Sequence, residues 1–510
     1  MSLDPVTLQV MIGGLRAACD EMGAVLIRSA HSANIKERHD CSTALFDARG
    51  ELVMQAEHIP VHLGSMPEAV GAVLGSEQAP GALWVLNDPY RGGTHLPDIT
   101  LISPIFAEAE GGAGDLLGFS ASRAHHADIG GPTPAGMPAD SRTLEEEGVV
   151  IPPTRVGEED LAELAGRMRN PPQRLADLRA QRAANLVGER RLHELARRHG
   201  LAELRAGMDE ILAYGERRTR ARLAELPDGA YEARDVLEDD VFGPERDVEL
   251  RVRATIAGDS LRLDFSGSAE QVDGNLNCPL AVTKSAAFFA VRVLTDPDAP
   301  PSAGAHRPIE VTAPEGCVLN ARFPAAVAAG NVETSSRVAD LVIAALGGAM
   351  EVPAQGQGTM NNLTLAGGAD GGFTYYETLG GGQGACPGAD GPGAIHVAMS
   401  NTLNTPVEAL ETEFPLRVRE LALRRGSGGD GARRGGDGIA RELEALEPMR
   451  YTLITERRRH PPRGRDGGDD GAPGRNLVNG ESVASKCAGE LAAGDRLRIE
   501  TPGGGGLGQT

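Results

Sequence analysis

Apolar positions Leu8, Val10, Met11, Leu15, Met22, Val25 and Leu26 recur at helical spacing near the start of the chain, behind Asp4 and Pro5. An acidic N-cap followed by a first-turn proline is a helix opening, so the pattern predicts a helix over residues 4–30. The period then shortens to two. "TALFDARGELVMQ" reads as a hairpin with strands over residues 43–46 and 51–55 and "DARG" as its turn. "PEAVGAVLG" predicts a short helix opened by Pro67 and closed by Gly75. "ALWVLNDPY", "DITLISPIF" and "LLGFSASRA" predict three strands, the last two joined by the flexible connector "AEAEGGAGD".

Residues 157–225 change character. Their charged, leucine- and alanine-rich segments predict two or three long helices, broken at Pro171-Pro172 and at Gly200, with the mixed charges on a solvated face. Alternation returns in "VELRVRATIAGDSLRLDFSGS", a hairpin. "NLNCPLAVTKSAAFFAVRVLTD" reads as a loop entering a buried helix, "PIEVTA" as a strand and "SSRVADLVIAALGGAM" as a helix. The last hundred residues read as β-rich, with glycine runs such as "GSGGDGARRGGDG" as turns and "RRRHPPRGRDGGDDGAPGR" as an exposed loop. The expected fold class is α+β, a multi-layer mixed architecture. It divides into an N-terminal α/β portion with the candidate site (1–152), a helical segment (153–226), a central α/β portion (227–410) and a β-rich C-terminal portion (411–510).

Composition narrows the function classes. At 510 residues the chain is long enough for two to four domains with a substantial core. A net charge of −22 argues against nucleic acid as a partner, because phosphate binding needs basic patches. No apolar run of membrane-spanning length occurs and "MSLDPVTLQV" lacks the layout of a signal peptide, so a cytoplasmic location is expected. Six scattered cysteines without a CxxC pair argue against a zinc ribbon, an iron–sulfur cluster or a disulfide framework, and Cys41 reads as a small buried residue rather than a nucleophile. Abundant glycine and few aromatics fit a loop-rich enzyme better than a helical scaffold.

The chemistry concentrates in the first quarter of the chain. His31, His39, His58, His62, His95, His125 and His126 all fall between residues 31 and 126. If "DITLISPIF" and "LLGFSASRA" form one hairpin centred on their connector, Asp98 faces Arg123, and His95 lies beside His125 or His126. In the earlier hairpin, Asp40 falls opposite Glu57 and His39 opposite His58. Two histidines and one or two aspartates at one sheet end suit zinc, manganese or iron(II) and leave a position for water, whose pKa a bound cation lowers. His39, His58 and His62 read as polar core or as groups behind the ligands, and Asp88 and Asp128 as acceptors that hold the ligand rings. No GxxxxGK[ST] phosphate loop is present. "LGGGQGA" offers backbone N–H groups to an anion, although a tight turn or close backbone contact is the commoner use of such a stretch.

Several segments together resemble the hydantoinase B/oxoprolinase family: "NIKERHDCSTALFDARGELV", "HIPVHLGSMPEAV", "LNDPYRGGTHLPDITLISPIF", "GFSASRAHHADIGG", "AAGNVETSSRVAD", "YYETLGGGQGA", "SNTLNTPVEALE" and the terminal "TPGGGGLG". The resemblance spans nearly the whole chain. It implies a subunit that works with an A-type ATPase subunit of actin-like fold, which binds ATP, in a hetero-oligomer that opens cyclic amides such as hydantoins, 5-oxoproline or lactams. It also implies a divalent metal. Carried over by motif, the ligands are Asp40 from "KERHD", His95 and Asp98 from "THLPD", and His125 or His126 from "AHHAD". The hairpin register favours His126. On this reading Glu37 or His39 acts as general base beside a metal-bound water, which attacks a ring carbonyl activated by ATP. Relatives that carboxylate ketones make a ketone carboxylase subunit the second expectation, and a non-catalytic partner of the ATPase subunit the third.

Overall fold

The computed structural model describes residues 4–109, 112–239, 241–242, 245–368 and 372–509. The first helix, α1 (Pro5–Ser29), is capped by Asp4, whose carboxylate accepts the Val6 and Thr7 N–H groups. A single turn, α2 (Ala33–Lys36), leads into β1 (Cys41–Asp47) and β2 (Leu52–Glu57), and α3 (Met66–Leu74) follows. Next come β3 (Leu83–Leu86), β4 (Asp98–Ala109), β5 (Gly112–His125) and the short β6 (Thr154–Val156). These strands form a six-stranded sheet in the order β2-β1-β5-β4-β3-β6. The strands of the β4/β5 hairpin run on into the expected connector, of which residues 110–111 lie outside the described residues.

Three helices follow: α4 (Asp160–Gly166), α5 (Pro171–His199) and α6 (Leu201–Leu223), with breaks at the Pro171-Pro172 pair and at Gly200, as the sequence predicts. The solvated-face expectation holds for only part of α5. Its inner face buries Arg174, Asp177, Gln181 and Asn185 against the first sheet. There Gln181 Nε2 donates to Ile99 O at 2.9 Å and Asn185 Nδ2 to Leu101 O at 3.1 Å. Buried amides of this kind satisfy carbonyls that would otherwise be orphaned.

The second sheet, β10-β9-β8-β7, is built from β7 (Gly229–Asp239), β8 (Arg246–Ala257), β9 (Ser260–Asp264) and β10 (Ile309–Thr312). Its interleaved helices are α7 (Leu280–Thr295) and the short α8 (Ala303–His306), and α9 (Ser335–Leu346) packs beside α7. The third sheet joins β11 (Asn362–Gly367) and β12 (Phe373–Glu377) to strands from much later in the chain. Beyond α10 (Val407–Glu413) lie β13 (Leu416–Arg424), β14 (Gly438–Ala445), β15 (Met449–Ile454), β16 (Arg475–Val478), β17 (Glu481–Ser482), β18 (Lys486–Leu491) and β19 (Arg496–Glu500). The third sheet runs β12-β11-β15-β18, and a fourth runs β13-β14-β19-β16-β17. The architecture is α+β and multi-layered.

The glycine runs depart from expectation. They are not turns between strands but extended segments stacked backbone against backbone. Gly504 N–H donates to Gly436 O at 2.9 Å, Gly436 N–H to Gln383 O at 2.8 Å and Gly429 N–H to Gly504 O at 2.8 Å. A Cβ on Gly504 would sit 2.0 Å from the Gln383 carbonyl oxygen. The "LGGGQGA" stretch belongs to this stack, so its glycines serve close backbone approach. The expected loop after residue 456 is also partly interior. Arg457 is fully buried and pairs with Asp340 at 2.9 Å and Asp235 at 3.5 Å, beside an Arg337–Glu456 pair at 3.3 Å.

Candidate metal centre

The site forms where β4 begins and β5 ends. Near the hairpin tip the partners are those read from the sequence, but two bulges each insert an extra residue into β5, between Ile105 and Glu108 of its partner strand. The register at the far end therefore moves by two. Asp98 faces His125, and Arg123 faces Thr100 instead. A two-residue shift keeps every side chain on its expected face, so the histidine–aspartate cluster survives with a different member. His126, the next residue, points the other way, because adjacent strand residues project to opposite faces. Its Nε2 meets Gln181 Oε1 at 2.9 Å, and since both amide hydrogens of Gln181 go to backbone carbonyls, His126 Nε2 is the donor. The expectation that His126 joins His95 and Asp98 is thus corrected to His125.

Around Asp98 the polar groups are arranged asymmetrically. Thr94 Oγ1 donates to Oδ2 at 2.8 Å, His62 Nε2 lies 3.3 Å from the same oxygen and Asn331 Nδ2 is at 3.5 Å. His62 Nδ1 is 2.9 Å from Ser42 Oγ. Oxygen Oδ2 is thereby occupied, and Oδ1 is left facing His95 Nε2 at 3.0 Å and His125 Nδ1 at 3.3 Å. Burial pushes the Asp98 carboxyl pKa up, but His95, with the close approach of the His125 and His62 rings, overcomes it and holds the pKa well below the ordinary value. Burial pushes the His125 pKa down, against the pull of Asp98, and so favours the neutral ring that binds metals.

The donor set fits a divalent cation. Both ring nitrogens of His95 and Nε2 of His125 are buried and lack a hydrogen-bond partner, which is costly in an ordinary polar core. The separations of 3.0 and 3.3 Å match the roughly 3.3 Å between ligands in a tetrahedral site with bonds of about 2.0 Å. His95, Asp98 and His125 are the metal-capable group found among the described residues. Beside them is a cavity of about 20 Å³, room for a single water, lined by Asp40, His62, Asn331, Met360, Tyr376 and Thr402 among others.

The remaining expected residues lie outside the cluster. Asp40 lines the cavity, and its carbonyl accepts the His125 N–H at 3.1 Å, but it is not one of the converging three. A turn centred later than expected and one bulge in the first hairpin each shift the pairing by a residue and together place Ser42, not Asp40, opposite Glu57. His39 does meet His58, edge to face at 6.2 Å, with a left-handed φ of 56°. Neither His39 nor Glu37 lines the cavity, and Glu37 sits at the half-buried end of α2, where its charge acts on Glu413. Asp88 caps Tyr90 N–H, while Asp128 accepts from Gly130, Ala135, Arg169 and Thr374. Neither of these aspartates holds a cluster ring. Asn331 and Tyr376 reach the site from far along the chain, and their sequence signal is their place in "AAGNVETSS" and "YYETLGG".

A sequence profile described as "Hydantoinase B/oxoprolinase" matches residues 4–510. The 5-oxoprolinase of Dictyostelium discoideum is 37% identical over 523 residues, covering 99% of this chain and 40% of the relative. A putative D-/L-hydantoinase component of B type from a Pseudomonas strain is 31% identical over 544 residues, covering 99% of this chain and 90% of the relative. The chain thus spans about two fifths of the 5-oxoprolinase and nearly all of the hydantoinase component. Among solved structures, the ATP-dependent caprolactamase from Pseudomonas jessenii superposes with a TM-score of 0.92 at 29% identity, over 100% of this chain and 92% of that one. An acetone carboxylase in its nucleotide-free form shares the fold alone, with a TM-score of 0.87 at 18% identity over 99% and 76%. No described helix is long and apolar enough to cross a membrane. From the profile and from these relatives, the chain belongs to the hydantoinase B/oxoprolinase family.

Proposed function

We propose that the chain is the metal-carrying catalytic subunit of an ATP-dependent cyclic-amide hydrolase and acts on a hydantoin, 5-oxoproline or lactam in complex with an A-type ATPase subunit. The observation that carries this reading is the buried His95–Asp98–His125 cluster with its unpartnered ring nitrogens. Likeness to a 5-oxoprolinase, a hydantoinase component and a caprolactamase supports the substrate class. A lactam carbonyl is a poor electrophile, and on this reading the partner would use ATP to activate it.

His95, Asp98 and His125 would hold the cation, which would supply Lewis acidity and an acidified water. The protein's own groups set the rest. Thr94 and His62 saturate Asp98 Oδ2 and so aim Oδ1 at the two rings. With Asp98 ionised, His62 holds its proton on Nε2 and accepts from Ser42 on Nδ1. Asp40, on the cavity wall, would take a proton during ring opening. The cavity has room for about one water, so a ring would enter only as its walls part.

The test is turnover by the complex on hydantoin, 5-oxoproline and caprolactam, with and without ATP. Asp98→Ala should abolish ring opening while the partner still binds ATP, and normal turnover of that variant would overturn the proposal. Incorporation of labelled bicarbonate into product, without ring opening, would replace it with a carboxylase.

A further inference from the structure

A metal-ligating histidine is ordinarily oriented by a hydrogen bond from its second ring nitrogen to a carboxylate, carbonyl or water. His125 has no such bond. Its Nδ1 faces Asp98, and its Nε2 is buried without a partner. The ring is instead held by a stack: Tyr376, on β12, lies parallel to it, with centroids 4.7 Å apart and planes inclined by 10°. Tyr376 is itself fixed at both ends. The Arg38 guanidinium lies over its ring, 5.3 Å from the centroid, and donates to the Tyr376 carbonyl at 2.8 Å, to Thr378 Oγ1 at 2.7 Å and to Thr402 Oγ1 at 3.3 Å. At the other end the Tyr376 hydroxyl donates to Asn362 Oδ1 at 2.7 Å, and the Asn362 amide donates to Glu333 Oε1 at 2.7 Å. Arg38, Tyr376, Asn362 and Glu333 are all buried.

We propose that Tyr376 is the positioning residue for His125. Its flat face takes the place of the missing hydrogen bond and fixes the imidazole plane, so that Nδ1 stays aimed at Asp98 Oδ1. The proposal rests on the reading of the cluster as a metal centre. It adds that a residue from the third sheet, contributed across the fold, sets the affinity of a site built on the first. Rotation of an imidazole about its Cβ–Cγ bond is otherwise opposed only by packing, and an aromatic stack opposes it through both contact area and ring electrostatics.

The experiment compares wild type, Tyr376→Phe and Tyr376→Leu, each stripped of metal with a chelator. Co²⁺ is titrated in and followed by its visible absorption. Tyr376→Phe keeps the stack and should bind within about threefold of wild type, whereas Tyr376→Leu should bind about 10- to 100-fold more weakly, with an altered spectrum. Wild-type affinity and spectrum in Tyr376→Leu would overturn the proposal, as would equal losses in both variants, which would assign the effect to the hydroxyl. A second readout needs no metal: carbethoxylation of His125 in the stripped proteins, measured by peptide mass spectrometry. Labelling should stay low in wild type and Tyr376→Phe and rise in Tyr376→Leu. Unchanged labelling in the leucine variant overturns the clamp. Failure of wild type to take up Co²⁺ overturns the metal-centre reading instead, and His125 labelling still decides the clamp. Should Tyr376→Leu not fold, Tyr376→Met fills the same space without a flat ring.

Discussion

Arg441→Met should be among the most destabilising single substitutions in the chain. Arg441 Nη1 lies 2.8 Å from Glu377 Oε2, and both side chains are at most 1% exposed. The same carboxylate oxygen accepts the Tyr375 hydroxyl at 2.6 Å, and its neighbour accepts the Thr405 N–H at 3.0 Å. Burial works against the charge on Arg441, but Glu377 more than restores it and raises the guanidinium pKa. Removing the cation leaves a buried carboxylate with two neutral donors, and breaking such a pair from one side costs about 3–5 kcal/mol. Those two donors place this case near the lower end, at about 3 kcal/mol. Glu377→Gln strands the arginine instead and should cost a similar amount. The double variant holds no buried charge, and its amide oxygen still accepts from Tyr375 or Thr405. It should therefore cost well under the sum of the singles, with a coupling of about 2 kcal/mol. The assay is urea denaturation of the four proteins followed by circular dichroism, read as midpoint shifts at constant slope. Additive singles, or an Arg441→Met cost below about 1 kcal/mol, would refute the reasoning.

Four further outcomes follow from the same structure. Gly504→Ala puts a Cβ 2.0 Å from the Gln383 carbonyl oxygen, backbone against backbone with no rotamer to yield, and should cost about 3 kcal/mol or more in thermal melts. In contrast, Gly71→Ala, in α3 with nothing within 4 Å of the new methyl, should gain about 0.5–1 kcal/mol. Burial, reinforced by Glu456, raises the Glu333 pKa from 4.5 to about 7. Folding thus favours its protonated form, so its contribution is complete below about pH 4.5 and is lost as pH rises to about 7. Relative to wild type, Glu333→Gln should remove about 3 kcal/mol of that decline, and parallel stability–pH curves for the two proteins would contradict it. Finally, His125→Asn should strip metal from the purified protein and His126→Asn should not, as judged by elemental analysis of each.

Much of the fold was legible because its signals are local. Asp4-Pro5, the Pro171-Pro172 break and Gly200 punctuate helices by backbone chemistry that acts within a turn, and each marks an element boundary in the structure. The glycine stack was not legible, because its cause is not local. Gly382, Gly436 and Gly504 are glycines on account of one another, since each would press a Cβ onto a carbonyl from another segment. In one dimension such residues look the same as turn glycines, and only the packed chain separates the two. The buried Arg457 looks exposed in the sequence for a related reason. In "RRRHPPRGRDGG" it is one arginine among many, and its partners Asp235 and Asp340 are more than a hundred residues away.

The site shows how far register arithmetic reaches. Counting outward from the β4/β5 turn gives the correct pairing at the tip, and each bulge then adds one residue of error that no spacing rule reveals. Two bulges make an even shift, and an even shift preserves faces. Asp98 therefore still meets a histidine on the inner face, and that histidine is His125. A single bulge would have turned His126 inward and left His125 against α5. The cluster thus depends on the parity of the irregularities in β5 as much as on the identity of its histidines. Deleting Leu117, the residue β5 carries without a partner, should close that bulge and leave Ile105 opposite Gly118 and Asp98 opposite His125, so the His95–Asp98–His125 convergence should survive the loss of a residue. Retention of metal by that deletion variant is the expected result, and its loss there, with Leu117→Ala retaining metal, would refute the reading of Leu117 as a residue outside the pairing.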